Sequence, residues 1–109
     1  VSLKKITKIN CLLVKELISI YYKKKITFKK PNDLLINKKK ICGILQEKIS
    51  KLNKRYLIVG IGINLIKSPN LRKYPTTNLR ELLNKNVSKN KIEKQIRGIF
   101  ELKLTRLLK

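Results

Sequence analysis

The sequence predicts an α/β chain, a mixed β-sheet flanked by helices, and three observations predict it. All three prolines and three of the four glycines fall between residues 31 and 75. The two ends hold almost no helix breakers and carry apolar residues at helical spacing. Between them, short apolar runs alternate with turn residues, the pattern of strands and hairpins. With 109 residues, 42% of them hydrophobic, the chain suits one domain or part of one and has enough apolar side chains to form a core. The opening Val-Ser-Leu and the closing Leu-Leu-Lys, which falls inside a helical pattern, suggest a fragment of a longer chain.

The first element is a helix. Leu3, Ile6, Ile9, Leu13, Leu17 and Ile20 recur at helical spacing with lysines between them, and Ser2 stands where a cap belongs. Ile26-Thr27-Phe28 reads as a short strand ended by Pro31, which also drives Lys30 out of the helical region. Asn32-Asp33 is a turn signal before Leu34-Leu35-Ile36, and residues 37–39 form a second turn. Lys40 to Ile49 then form a strand, so residues 34–49 read as a β-hairpin. The run Tyr56 to Asn64 is almost continuously apolar, which predicts a strand buried on both faces. Residues 65–77 read as a loop. Asn78 with Glu81 resembles a capping pair opening a short helix. Ile92, Ile96, Phe100, Leu104 and Leu107 give a last amphipathic helix.

Lys and Arg number 28 against six Asp and Glu, a net charge of +22. Such a charge fits an anionic partner such as nucleic acid. However, Lys, Ile and Asn are in excess together while Ala, Trp, Met and His are scarce or absent, which is the joint bias of AT-rich coding. Aromatics make up only 6%, and Lys far outnumbers Arg, so the stacking platform of a nucleic-acid binder is missing. Cys11 and Cys42 stand alone without histidine, which argues against a zinc site and for buried free thiols in a reducing cytoplasm. Lysines interrupt every apolar stretch near the start, so neither a membrane span nor a signal peptide is expected there.

Three features carry candidate chemistry. Gly60-Ile61-Gly62 inside an apolar strand marks either a bulge or the close approach of a ligand. Lys40, at the head of a strand, is either a snorkelling edge lysine or an ammonium held for a carboxylate or phosphate. Asn64 ends an apolar run, where it either caps a turn or turns its amide to a ligand. No Ser/His/Asp set, nucleophilic cysteine or carboxylate pair is visible.

Their order is more specific than any one of them. Lys29-Lys30-Pro31-Asn32-Asp33-Leu34 is followed by Lys40-Ile41-Cys42-Gly43-Ile44-Leu45-Gln46-Glu47. Gly60-Ile61-Gly62-Ile63-Asn64 and Thr76-Thr77-Asn78-Leu79 come next. This series resembles the biotin protein ligases, with their Lys-Trp-Pro-Asn-Asp-Leu, Lys-x-x-Gly-Ile-Leu-x-Glu and Gly-x-Gly-Ile-Asn motifs. The resemblance implies part of a catalytic domain of the class II aminoacyl-tRNA synthetase/biotin synthetase-like fold over residues 1–109. It implies ATP-dependent activation of biotin to biotinyl-5′-AMP, with Mg²⁺, and transfer to a lysine of the biotin carboxyl carrier protein in the cytoplasm. By resemblance Lys40 and Asp33 are catalytic. Asn32, Lys40, Gly43, Gly60, Gly62 and Asn64 bind substrate, with Lys40 on the biotin carboxylate and adenylate phosphate and Asn64 on the nucleotide side.

The sequence departs from the family at Lys30, where the motif has Trp. The family's Gly-Arg-rich loop and its C-terminal SH3-like domain have no counterpart in these residues, so residues 1–109 alone are expected to give little pyrophosphate exchange. The alternatives are a lipoate–protein ligase, which shares the fold and a similar hairpin, and a basic nucleic-acid-binding module.

Overall fold

The computed structural model describes residues 2–68 and 75–108, apart from the side chains at 105 and 108. Of the expected loop at 65–77, residues 69–74 lie outside the described residues.

Helix α1 runs from Leu3 to Tyr21, and Ser2 caps it by accepting a 3.1 Å hydrogen bond from the Lys5 N–H. Its buried stripe is wider than the predicted one, because Asn10, Cys11, Val14 and Ile18 join Ile6, Ile9, Leu13 and Leu17. Leu3 and Ile20, at the ends of the predicted stripe, are exposed.

Four strands come after it: β1 Thr27–Lys29, β2 Asp33–Ile36, β3 Lys39–Lys51 and β4 Lys54–Ile63. They lie in chain order in one sheet, and every ladder between them is antiparallel. Among the described residues, one isolated parallel bridge joins Lys40 to Thr76. The β2–β3 turn places Asn37 and Lys38 at φ 53° and 64°, and Leu52 and Asn53 repeat these values at the β3–β4 turn. Positive φ at both turn residues matches the right-handed strand twist of a tight hairpin.

One face of the sheet meets α1. Leu34, Ile36, Cys42 and Ile44 pack there with Val14, Leu17 and Ile18, all nearly inaccessible to water. Burying each large aliphatic side chain contributes about 1.5–3 kcal/mol. Polar contacts fix the helix on β3: Asn10 Nδ2 donates to Gln46 Oε1 at 2.6 Å, and Gln46 Nε2 donates to Leu3 O at 3.0 Å and to Thr7 Oγ1.

A short helix α2, Leu79–Leu83, is capped by Asn78, whose Oδ1 accepts from the Glu81 N–H at 2.8 Å. Helix α3, Lys89–Leu108, packs along α1 through Ile92, Ile96, Ile99 and Phe100. Tyr21 Oη donates to Gln95 Oε1, and Lys103 pairs with Glu16. Both long helices therefore lie on one side of the sheet. Among the described residues no helix is long and apolar enough to cross a membrane.

The structure corrects the expectation for β4. No residue of it is fully buried: Leu57, Val59, Ile61 and Ile63 are half-buried, while Ile58, Gly60 and Gly62 are exposed. The apolar run alternates between a face on the core and an open face, rather than being covered on both.

Candidate active site

The open face of the sheet carries the candidate site. Gly43 on β3 pairs with Gly62 on β4, and Leu45 with Gly60. Side chains alternate along a strand, so Gly43, Gly60 and Gly62 project toward the same outer surface. Apart from the exposed Leu45, which shares this face opposite Gly60, that surface is a floor of backbone. At its edge Asp33, at the start of β2, pairs with Gly43 in register.

Strict alternation from Gly43 would put Lys40 on the opposite face, beside Cys42 and Ile44. The structure avoids this with a β-bulge. Leu34 pairs with Cys42 and Leu35 with Lys40, so Ile41 is the extra residue on β3. An extra residue shifts the side-chain phase by one position and re-aims the side chains beyond it. Lys40 accordingly lies over the glycine floor, and its Nζ is 3.3 Å from Asp33 Oδ1. A Cβ at Gly43 would stand 3.2 Å from both Lys40 Cε and Nζ. Gly43 is thus filled by the lysine's own end, whereas Gly60 and Gly62 would meet only ordinary contacts with strand β3.

An open cleft of about 480 Å³ forms over this floor, lined by Asn32, Asp33, Lys40, Gly43, Gly60 and Gly62 with the adjoining backbone of β3 and β4. The structure thus brings together all the candidate residues except Asn64. Asn32 is fixed at the rim: its backbone O accepts from the Ile44 N–H at 3.0 Å, and its Nδ2 donates to Ile44 O.

Asn64 lies behind the cleft. Its Nδ2 donates to Thr77 O at 3.1 Å and reaches Lys40 O at 3.4 Å. Its backbone N–H donates to Ile41 O at 2.9 Å, and its O accepts from the Leu79 N–H at 3.0 Å. The segment after the loop returns to the same place: Lys40 N–H donates to Pro75 O and Thr77 N–H to Lys40 O, both at 2.9 Å. The bulge at Ile41 and the docking of Thr76–Thr77 on Lys40 are the parts of the site that sequence reading missed. A faint signal was present, since Asn64 and Thr77 are polar residues at the two ends of one loop.

The thiols are not nucleophiles here. Burial, reinforced by nearby Cys11, pushes the Cys42 thiol up to about 12. Burial and then the Asp33 charge push Cys11 up to about 11. Both stay protonated at neutral pH. Magnesium finds no ready cage either. Asp33 is the one carboxylate among the described cleft residues and is already paired with Lys40. Among the described residues no group of three or more His, Cys, Asp or Glu clusters for a metal.

The cleft therefore offers one ammonium beside a backbone floor, suited to a flat ligand with an anionic end. The family model for the biotin/lipoate A/B protein ligases matches residues 3–64, from the start of α1 to the end of β4. The chain belongs to that family.

Solved relatives agree. Biotin protein ligase from Aquifex aeolicus in complex with biotin and ATP is 28% identical, with a TM-score of 0.79 over 96% of this chain and 44% of that one. The apo form of the Aquifex ligase gives 28% identity and a TM-score of 0.77 over 95% and 46%. LipL1 from P. falciparum in complex with lipoate is 21% identical, with a TM-score of 0.62 over 86% and 30%, and shares the fold. No curated protein matches the chain by sequence. The chain spans less than half the length of these solved relatives, and its fold is that of the class II synthetase-like ligases.

Proposed function

We propose that this chain is the hairpin half of the catalytic domain of a biotin protein ligase. The reaction joins the biotin carboxylate to ATP. A carboxylate oxygen attacks the α-phosphorus, the bond to the β-phosphate oxygen breaks, and pyrophosphate leaves. An acceptor lysine amine, on a biotin carboxyl carrier protein, then attacks the acyl carbon. An amide forms, AMP leaves and the amine loses a proton. Two buried free thiols fit a cytoplasmic setting.

One observation carries the reading: Lys40, aimed by the bulge, stands over a glycine floor with Asp33 holding its ammonium. Both reacting groups are anionic, and an ammonium between them offsets charge as the pentavalent phosphorus forms. Asp33 keeps the ammonium in one place, and Asn32 fixes the rim. Gly60 and Gly62 leave room for a ring system against the sheet. The Aquifex ligase complex with biotin and ATP favours biotin, and the lipoate-bound relative supports the fold alone.

The test is pyrophosphate exchange by the full-length protein, with biotin and lipoate compared as substrates. Exchange should depend on biotin. Lys40→Ala should lower it roughly 100- to 1000-fold, as loss of one such contact in a partly desolvated site does. Lys38→Ala and Lys39→Ala, exposed near the turn, should change it little. Exchange supported by lipoate alone, or equal mild losses in all three variants, would refute the proposal.

A further inference from the structure

Resting on that reading, we infer that Lys29 is a second ammonium of the site and binds the pyrophosphate that leaves when biotin is activated. Register puts it there. Lys29 on β1 pairs with Asp33 on β2, Asp33 with Gly43 on β3, and Gly43 with Gly62 on β4, so these residues form one row across the sheet. Residues paired across antiparallel strands share a face. Their neighbours fix which face it is, because Phe28 and its partner Leu34 both line the apolar groove beside Cys11 and Leu12 of α1. Lys29 and Asp33 therefore project from the opposite face, the one that carries the cleft. Lys29 is exposed and lies one strand past Asp33, about 5 Å across the sheet, a gap that a lysine's flexible stem spans. Lys30, next in the chain, instead lines a groove with Leu3, Thr7 and Phe28 on the α1 side.

The chemistry needs a cation at that end of the row. In an in-line displacement the attacking and leaving oxygens stand on opposite sides of the α-phosphorus. With the biotin ring over Gly60 and Gly62, the carboxylate comes from the β4 side of Lys40. The strand order β1-β2-β3-β4 then sends the pyrophosphate across Asp33 toward β1. The breaking bond leaves its electron pair on the bridging oxygen, so negative charge grows on that side, where the Asp33 carboxylate opposes it. Lys40 is already shared with Asp33. An ammonium beyond Asp33 offsets both charges, and Lys29 is the residue that the register puts there.

Substitutions in the full-length protein test this. Lys29→Gln should raise the KM for pyrophosphate in biotin-dependent exchange roughly 10- to 100-fold, the scale of one hydrogen bond to a charged group. The KM for biotin should stay within about twofold, because the lysine lies away from the ring seat. Lys29→Arg keeps the charge and should recover most of the loss. Lys30→Gln removes the same charge one residue away on the other face and should change neither constant by more than about twofold. Both lysines are exposed, so both variants should fold as the wild type does. Equal effects of Lys29→Gln and Lys30→Gln, or a rise in biotin KM at unchanged pyrophosphate KM, would overturn the inference. Calorimetric titration with inorganic pyrophosphate makes the comparison without turnover, and equal affinities of the wild type and Lys29→Gln would overturn it as well. A wild-type protein whose exchange does not depend on biotin would instead strike at the ligase reading, so the two failures are distinguishable.

Discussion

A single missing methyl group leaves room for the Lys40 ammonium. At Gly43 an added Cβ would press on Lys40 Cε and Nζ at 3.2 Å, with Asp33 Oδ1 at 3.7 Å. The obstructed atoms are the flexible end of a side chain, so the fold should tolerate a methyl while the ion pair should not keep its place. Gly43→Ala is therefore expected to retain its melting temperature within a few degrees yet lose about tenfold or more in pyrophosphate exchange. Gly60→Ala and Gly62→Ala meet only contacts of 3.7 Å or longer, so they should fold normally and raise the KM for biotin by filling the floor. Thermal melts beside exchange kinetics check all three, and a Gly43→Ala enzyme with full activity would show that Lys40 needs no such seat. The residues at the front of the cleft were legible from sequence, because their order resembles one family's motifs. The mechanism that aims Lys40 was not. Reading side chains by strict alternation puts Lys40 on the face of Cys42, and only the extra residue at Ile41 moves it across. A bulge adds a residue without adding a recognisable residue type, so neither composition nor periodicity announces it.

Between elements, the decisive contact is α1 on β2 and β3. Capping and periodicity exposed both long helices, and Ser2 and Asn78 cap as their sequence context predicts. Strand β4 was harder to read. An apolar run bounded by turns is the mark of a doubly covered strand, yet its glycines and Ile58 face outward here. Apolar character alone records that a face can be covered, not what covers it. The helix–sheet interface also holds Cys11 and Cys42, with thiols pushed up from 9.0 to about 11 and about 12. Their folded-state values lie above the unfolded one, so their contribution is complete below about pH 9 and is lost as pH climbs toward 12. Denaturant titrations at pH 8, 9.5 and 10.5 should show the wild type losing stability relative to Cys42→Ala as pH rises. Equal pH slopes in the two proteins would mean that burial of this thiol is relieved in some other way.

At the scale of the whole molecule, charge dominates. The net charge of +22 is spread over a chain whose Cα radius of gyration is 14.5 Å, against about 13 Å for a compact domain of this length. Strands β3 and β4 run on as a two-stranded ribbon past the last β2 pair at Asp33 and Gly43. Mutual repulsion of so many lysines weakens the folded state, and a Debye length of about 10 Å at 0.1 M salt shortens its reach. Raising NaCl from 20 to 300 mM should therefore raise the melting temperature, by several degrees if repulsion is the main cost. A flat or falling response would place the stability elsewhere. The charge itself was plain in the sequence, whereas the ribbon was not, because strand length says nothing of where a neighbouring strand stops. The segment that leaves β4 after Ile63 comes back beside Lys40 at Thr76. Its two ends touch twice, where Asn64 Nδ2 meets Thr77 O at 3.1 Å and Asn78 Nδ2 meets Ser68 Oγ at 2.8 Å. A segment whose ends are fastened together is nearly indifferent to its own length, since doubling it adds only about 0.6 kcal/mol of closure entropy. Between Ser68 and Pro75 this protein should thus accept inserted residues, or lose some over evolutionary time, while the lysine on the far side of the fastening stays where it is.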